Sequence, residues 1–338
     1  MAGVAVLLGT HPDFSEHVAS RRHPESPVRL DAVLRGIQTS PAADAVVAFA
    51  PEPASRSDLE RVHPAELLDQ LEAFCAAGGG DIDADTSATE PSWDAAVRAA
   101  GAGVDAAARL ERGEGDAAFL ALRPPGHHAL PRRPMGFCLL NNIAVTAAHL
   151  AERGEQVLIV DWDAHHGNGT QDIFYEDPRV LYVSMHQWPL YPGTGRMEER
   201  GSGVGMGATF NIPMPAHADG DAYRAALDEV VTPLAEAFAP TWVLVSAGFD
   251  AHRADPLTDL DLTAGDYVDL TARVIRLAPA GRRIAFLEGG YDLDALALCG
   301  GVTVAALAGE EWRPEAPSTG GVGHEVVAAA KAALTLGE

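Results

Sequence analysis

Arg123-Pro124-Pro125-Gly126-His127-His128 and Asp161-Trp162-Asp163-Ala164-His165-His166-Gly167-Asn168 decide how this chain reads. Each follows an apolar run, Ala117–Leu122 and Val157–Val160 respectively. Apolar runs of this length, bounded by turn residues, predict strands buried on both faces of a parallel sheet. Working outward, Gly3–Leu8, Val180–Ser184, Trp242–Ser246 and Ile284–Leu287 read the same way. Helical spacing of apolar residues fills Ser92–Leu110, Asn141–Arg153, Asp219–Phe238, Thr263–Leu277 and Asp292–Leu307. Asn141 and Gly154 supply a cap at each end of the second of these. The alternation predicts an α/β fold, a central, mostly parallel sheet with helices on both faces. Pro51–Ser57, Gly78–Thr89 and Tyr191–Gly207 read as loops, the last two long enough to suggest a function. With no internal repeat and no linker, residues 1–338 are expected to form one domain.

The polar candidates share one property: His127, His128, Asp163, His165, His186, Asp250 and Tyr291 each come just after a predicted strand. Parallel α/β sheets bind ligands at the carboxyl ends of their strands, so these distant residues are expected to converge on one crevice. Asp163 and His165 are one residue apart, which in an extended segment turns both side chains the same way. Asp250 adds a second carboxylate. Two Asp and one His make a three-ligand site with an open position, the layout of a catalytic metal. Two carboxylates offset the dication's charge, so its water is acidified less than in an all-histidine site, and a base is needed nearby. The tandem His127-His128 supplies it. Asp161 is placed to accept a hydrogen bond from one ring and raise its pKa. Asn168 is placed to orient the other without adding charge. Tyr291, after Gly289 and Gly290, is a candidate oxyanion donor.

Composition excludes some classes. Net charge is −24, which opposes nucleic-acid binding. It is compatible with cationic substrates, although the scattered acidic residues read most simply as a source of solubility. No apolar run approaches the ~20 residues of a membrane helix. The start of the chain reads as a strand, not as a signal peptide. Cys75, Cys138 and Cys299 show no metal spacing, which suits a reducing cytoplasm; Cys138 is expected to pack near the site. His11, His17, His23, His63, His149, His217 and His324 read as ordinary core or surface histidines.

These motifs resemble the zinc-dependent histone deacetylase family, which includes acetylpolyamine amidohydrolases and bacterial deacetylase-like amidohydrolases. The likeness runs from His23-Pro24-Glu25-Ser26-Pro27-Val28-Arg29-Leu30 to Glu288-Gly289-Gly290-Tyr291 and is nearest to the class II branch. Met135-Gly136-Phe137-Cys138-Leu139-Leu140-Asn141-Asn142, Tyr191-Pro192-Gly193-Thr194-Gly195 and Ser246-Ala247-Gly248-Phe249-Asp250 carry it between those ends. The resemblance implies the arginase-deacetylase fold and one zinc on Asp163, His165 and Asp250. It implies that His128 is the general base and acid, that His127 with Asp161 acts electrostatically, and that Tyr291 polarises the scissile carbonyl. Phe137 and Tyr191 would flank a narrow channel, with Gly289 on its wall. One potassium would sit on Asp161, Asp163, His165, Ser184 and Met185, and a second near Phe174, Asp177 and Val180.

Leu257 falls where polyamine-selective class II relatives carry an acidic residue. An apolar Leu there suits an acyl-lysine stem. Asn168 replaces the aspartate of class I relatives. Ala216-His217 departs from the small residues common in that loop, and Asp85 lies in a loop able to reach the channel mouth. The resulting expectation is a hydrolase that removes acyl groups from N-acyl-lysine or a similar N-acyl primary amine. Acetylpolyamine hydrolysis, a catalytically silent acyl-lysine binder and an arginase-like two-metal hydrolase are the alternatives; no second ligand set supports the last. The same N/O ligands accept zinc or ferrous iron. The N-terminal loop, His11 to Pro27, is of moderate length and leaves a homo-oligomer open.

Overall fold

The computed structural model describes residues 4–19 and 23–334. Eight strands form one sheet: β1 (Val6–Gly9), β2 (Val46–Phe49), β5 (Ala117–Leu120), β6 (Val157–Asp161), β7 (Val180–Gln187), β8 (Thr209–Met214), β9 (Trp242–Ala247) and β10 (Arg283–Leu287). Two short strands, β3 (Gly80–Asp81) and β4 (Ser87–Ala88), form a separate antiparallel hairpin. The large sheet runs β2-β1-β5-β10-β9-β6-β7-β8, and every neighbouring pair is parallel. Every residue of β5, β6, β7 and β9 is buried. Side chains alternate across a strand, so complete burial requires cover on both faces. Helices Ser92–Glu111 and Asn142–Glu152 form one covering group; Val28–Thr39, Ala264–Val274 and Leu293–Leu307 form the other. Gly36 lets two helices of the second group touch: a Cβ there would lie 1.8 Å from the carbonyl oxygen of Ala297.

The order of the strands matters most for the site. β5, β10, β9 and β6 are consecutive, and their register aligns Leu120 with Phe286, Phe286 with Ser246, and Ser246 with Asp161. Four strands therefore end at one level. The segments that follow carry His127 and His128, Gly289 and Tyr291, Asp250, and Asp163 and His165.

The structure corrects several local expectations. β2 and β8 are additional strands at the two sheet edges. β8 contains Pro213, which weakens a strand reading but is tolerated on an edge. Asp219–Phe238 is not one regular helix: Gly220–Ala226 and Thr232–Phe238 are joined by a π-turn at Leu227–Val231. Pro233, at the start of the last segment, lacks the N–H an unbroken α-helix would use. Gly78–Thr89 holds the small hairpin rather than a bare loop. Of the first predicted strand, Gly3 lies outside the described residues. No helix among the described residues is long and apolar enough to cross a membrane. The three cysteines are free and buried.

Candidate active site and metal centre

At the carboxyl edge of the central strands lies a cavity of about 210 Å³. His127, His128, Asp163, His165, Gly289 and Tyr291 form its inner part, with Phe137, Tyr191, Leu257 and Asp85 towards the opening. Asp161, Asn168 and Asp250 are buried behind it and reach it through hydrogen bonds.

Asp163, His165 and Asp250 each offer one donor atom, all within 4.8 Å of one another. His165 Nδ1 is 2.9 Å from Asp250 Oδ2 and 3.4 Å from Asp163 Oδ1. Ligands held about 2.0 Å from a tetrahedral ion are roughly 3.3 Å apart, so the spacing suits one small dication. The electrostatics suit it too. Burial and the neighbouring Asp163 push Asp250 up to about 7. Burial opposes a charge on His165, yet its bonds to Asp163 and Asp250 lift the ring to about 10. Two buried carboxylates are thus competing for positive charge, which a metal would supply. The chain fixes their remaining lone pairs. Ala164 N–H donates to Asp250 Oδ1 at 2.8 Å, His165 N–H to Asp163 Oδ1 at 2.9 Å, and Gly289 N–H to Asp163 Oδ2 at 2.8 Å. Gly289 must be glycine here: a Cβ would lie 2.3 Å from Asp250 Oδ2.

The two adjacent histidines have opposite surroundings. His127 Nδ1 is 3.1 Å from Asp161 Oδ2, and its Nε2 is 3.8 Å from Asp163 Oδ1. Burial opposes a charge on this ring, but Asp163 and Asp161 outweigh it and raise it to about 10. His128 Nδ1 is 2.7 Å from Asn168 Oδ1, a neutral partner. Burial and the charges of His127 and His165 hold His128 well below the ordinary imidazole range. An amide oxygen can only accept, so His128 Nδ1 carries the hydrogen and Nε2 is left as the basic nitrogen. The rings stand 4.1 Å apart, one suited to cationic charge and the other to neutrality.

The opening is aromatic. Tyr191 meets His128 edge-on at 5.2 Å, and Phe137 meets Tyr291 edge-on at 5.8 Å. Phe137 has φ +67°, a left-handed backbone that bulky residues avoid. Its N–H donates to Thr86 Oγ1 at 3.1 Å, and Thr86 in turn donates to Asp85. Gly136 is pressed against His128: a Cβ would lie 2.5 Å from that ring.

Some expectations change. His186 does not follow its strand; it sits inside β7, buried, with Nδ1 2.9 Å from Ser184 Oγ and Nε2 2.9 Å from Gly195 O, away from the cavity. Ser184 and Met185 are likewise buried strand residues. His23 is not an ordinary surface histidine: it meets Phe137 edge-on at 4.5 Å and lies 2.9 Å from the carbonyl oxygen of Asp85. Sequence reading also missed the residues that support the site. Tyr182 donates to Asp161 Oδ2 at 3.0 Å. Asp255 accepts from the backbone of Tyr291 at 2.7 Å and of Leu257 at 3.0 Å. Arg29 donates to the carbonyls of Glu288 and Gly290 and lies over the Tyr291 ring. Glu25 is buried between Arg29 and Arg123. Only the family resemblance of the His23–Leu30 segment, which contains Glu25 and Arg29, hinted at the last group.

A family model described as the histone deacetylase domain matches residues 23–307. A probable deacetylase of Archaeoglobus fulgidus is 41% identical over 306 residues, covering 88% of this chain and 85% of that protein. A histone deacetylase-like amidohydrolase of Pseudomonas aeruginosa is 39% identical, covering 76% of this chain and 69% of its own length. The crystal structure of the HDA15 HD domain superposes with a TM-score of 0.89 at 34% identity, over 99% of both chains.

Proposed function

Because this chain belongs to the histone deacetylase family, we propose that it is a metal-dependent amidohydrolase that removes acetyl or other acyl groups from N-acyl-lysine or similar N-acyl primary amines. The observation that carries this reading is the unequal histidine pair beside a three-ligand cluster at the foot of an aromatic channel. Asp163, His165 and Asp250 would hold the ion, with zinc the family's metal. When bound, the ion polarises the scissile carbonyl and acidifies water.

The rest of the chemistry belongs to side chains. His128, neutral and hydrogen-bonded to Asn168, takes a proton from the attacking water through Nε2 and returns it to the departing amine. His127, kept cationic by Asp161 and Asp163, offsets the negative charge that develops beside it. Tyr291 donates its phenol hydrogen to the carbonyl oxygen as the carbon becomes tetrahedral. Phe137 and Tyr191 exclude water from the alkyl stem of the substrate, and Leu257 gives that stem an apolar contact at the mouth. Structural potassium on Asp161, Asp163, His165, Ser184 and Met185 is part of the reading; the register sets Asp161 opposite Ser184. A second potassium belongs near Phe174, Asp177 and Val180. Three free buried cysteines suit a reducing cytoplasm.

A second reading, acetylpolyamine hydrolysis, draws support from the net charge of −24 and from Asp85 at the mouth. Steady-state kcat/KM of the zinc-loaded protein on an acetyl-lysine peptide, free acetyl-lysine, N-acetylputrescine and N8-acetylspermidine separates the two. Peptide preference above about tenfold, ~1.4 kcal/mol of transition-state discrimination, is expected. Polyamine preference overturns the Leu257 argument. Binding without turnover by the metal-loaded protein supports a silent acyl-lysine binder.

A further inference from the structure

Glu288 is fully buried at the end of β10 and directly precedes the glycines that lead to Tyr291. Its main chain is fixed on both sides. The N–H donates to Ala247 O at 3.3 Å, and the carbonyl accepts from Arg29 Nη2 at 2.5 Å. Its side chain crosses to a different segment. Oε2 accepts from Gly126 N–H at 2.7 Å and from His127 N–H at 3.2 Å. Those are backbone groups of the turn that aims both catalytic histidines. Asn142 holds the same turn from the other side, donating to Pro124 O at 3.0 Å.

A buried carboxylate is a costly way to satisfy two amides, because desolvation penalises its charge. Here burial pushes Glu288 up to about 7. One of its oxygens, Oε1, is buried with no hydrogen-bond partner among the described residues. An apolar residue here would leave both amide N–H groups without an acceptor, at a cost of roughly 1–3 kcal/mol each, so the acceptor itself is required. What this side chain does geometrically is join two loops that sequence separates by about 160 residues. On one side stand His127 and His128. On the other stand Gly289, whose N–H fixes the ligand Asp163, and Tyr291.

We propose that Glu288 is a positioning residue: it clamps the histidine turn to the tyrosine loop, so that the proton-transfer group, a metal ligand and the oxyanion donor keep one mutual geometry. The proposal rests on the amidohydrolase reading. The clamp acts through reach rather than through charge. Two substitutions separate these properties. Glu288→Asp keeps the carboxylate but shortens it by one methylene, drawing it away from Gly126 and His127. Glu288→Gln keeps the reach and one acceptor oxygen but removes the charge.

The test measures kcat, KM, bound zinc and amide hydrogen exchange for both variants and the wild type. Glu288→Asp is expected to lower kcat by about tenfold or more with KM changed less than about twofold, since misplacing reacting groups by an ångström costs up to about 100-fold. Glu288→Gln is expected to lose no more than about threefold. Exchange at the Gly126 and His127 amides should accelerate in Glu288→Asp and stay slow in Glu288→Gln. In a Tyr291→Phe background the Glu288→Asp penalty should shrink, because one of the two aligned partners is gone. The reverse ranking of the two variants, or a full multiplicative penalty in the double variant, overturns the clamp. So does wild-type kcat in a zinc-loaded Glu288→Asp protein. Wild-type turnover tests the amidohydrolase reading separately. If the wild type turns over no acylated amine, the exchange rates still decide whether the clamp exists.

Discussion

The floor and the mouth of the cavity are built on different principles. At the floor, Asp161, Asp163, Asp250, His127 and His128 are buried, and each has a fixed partner. At the mouth, Tyr191 and Leu257 are 38% and 37% exposed, and they contribute aromatic and aliphatic surface. Buried polar groups demand complete partnering, so a floor of this kind tolerates little change. An exposed apolar rim carries no such demand. In the proposed function the floor carries the chemistry and the rim the choice of substrate.

The largest effect is expected from Asp250→Asn. It removes one ligand charge and should abolish both zinc retention and turnover, read by metal analysis and activity. A chelator should do the same to the wild type, with zinc restoring it. Retention of activity without metal would break the assignment of chemistry to this cluster. Next comes His128→Ala, expected to lower kcat by about 10²–10⁴-fold, the range for losing a general acid–base group. An equal fall in binding affinity, rather than in kcat, would place His128 with the rim.

Support beneath the floor should show in stability. Burial alone would raise Glu25, but Arg123 and Arg29 outweigh it and hold it at about 2, against an ordinary 4.5. A carboxyl depressed by that amount contributes about 3 kcal/mol at neutral pH. The contribution is whole above about pH 4.5 and is lost as pH falls towards about 2. Glu25→Gln should therefore be less stable by roughly 3–5 kcal/mol at pH 7, because two buried guanidiniums lose their carboxylate. Urea titrations of the two proteins should converge as the pH is lowered from 7 towards 3. A deficit independent of pH would mean that the carboxylate charge is not what matters. The smallest effect is reserved for the rim. Leu257→Glu should shift the ratio of kcat/KM for N8-acetylspermidine over acetyl-lysine peptide upward by about tenfold, leaving the floor's metal content intact. A fall in turnover of both substrates alike would blur the division between rim and floor.

Legibility in the sequence followed the same division. Residues whose chemistry is rare in their position, such as Asp163-Ala164-His165 after a buried run, could be picked out directly. Supporting residues could not. Tyr182 lies in a strand that reads as apolar, and Glu288 looks like any polar residue before a glycine pair. Their partners, Asp161 and the Gly126–His127 backbone, are distant in sequence. Two edge strands escaped for a related reason. β2 is half exposed and β8 contains Pro213, so neither shows the uninterrupted apolar run of a central strand. His186 was misplaced because β7 continues to Gln187, three residues past its apolar part.

The sequence by itself determined the alternation of buried strands and helices and the identity of the groups at strand ends. Periodicity and turn chemistry are local, so local reading suffices for them. Tertiary structure decided that β5, β10, β9 and β6 are neighbours and end at one level. It also decided that His127 faces a carboxylate while His128 faces an amide. Strand order and ring partners depend on contacts between segments far apart in the chain. The difference in charge between two adjacent histidines exists only once those segments have met.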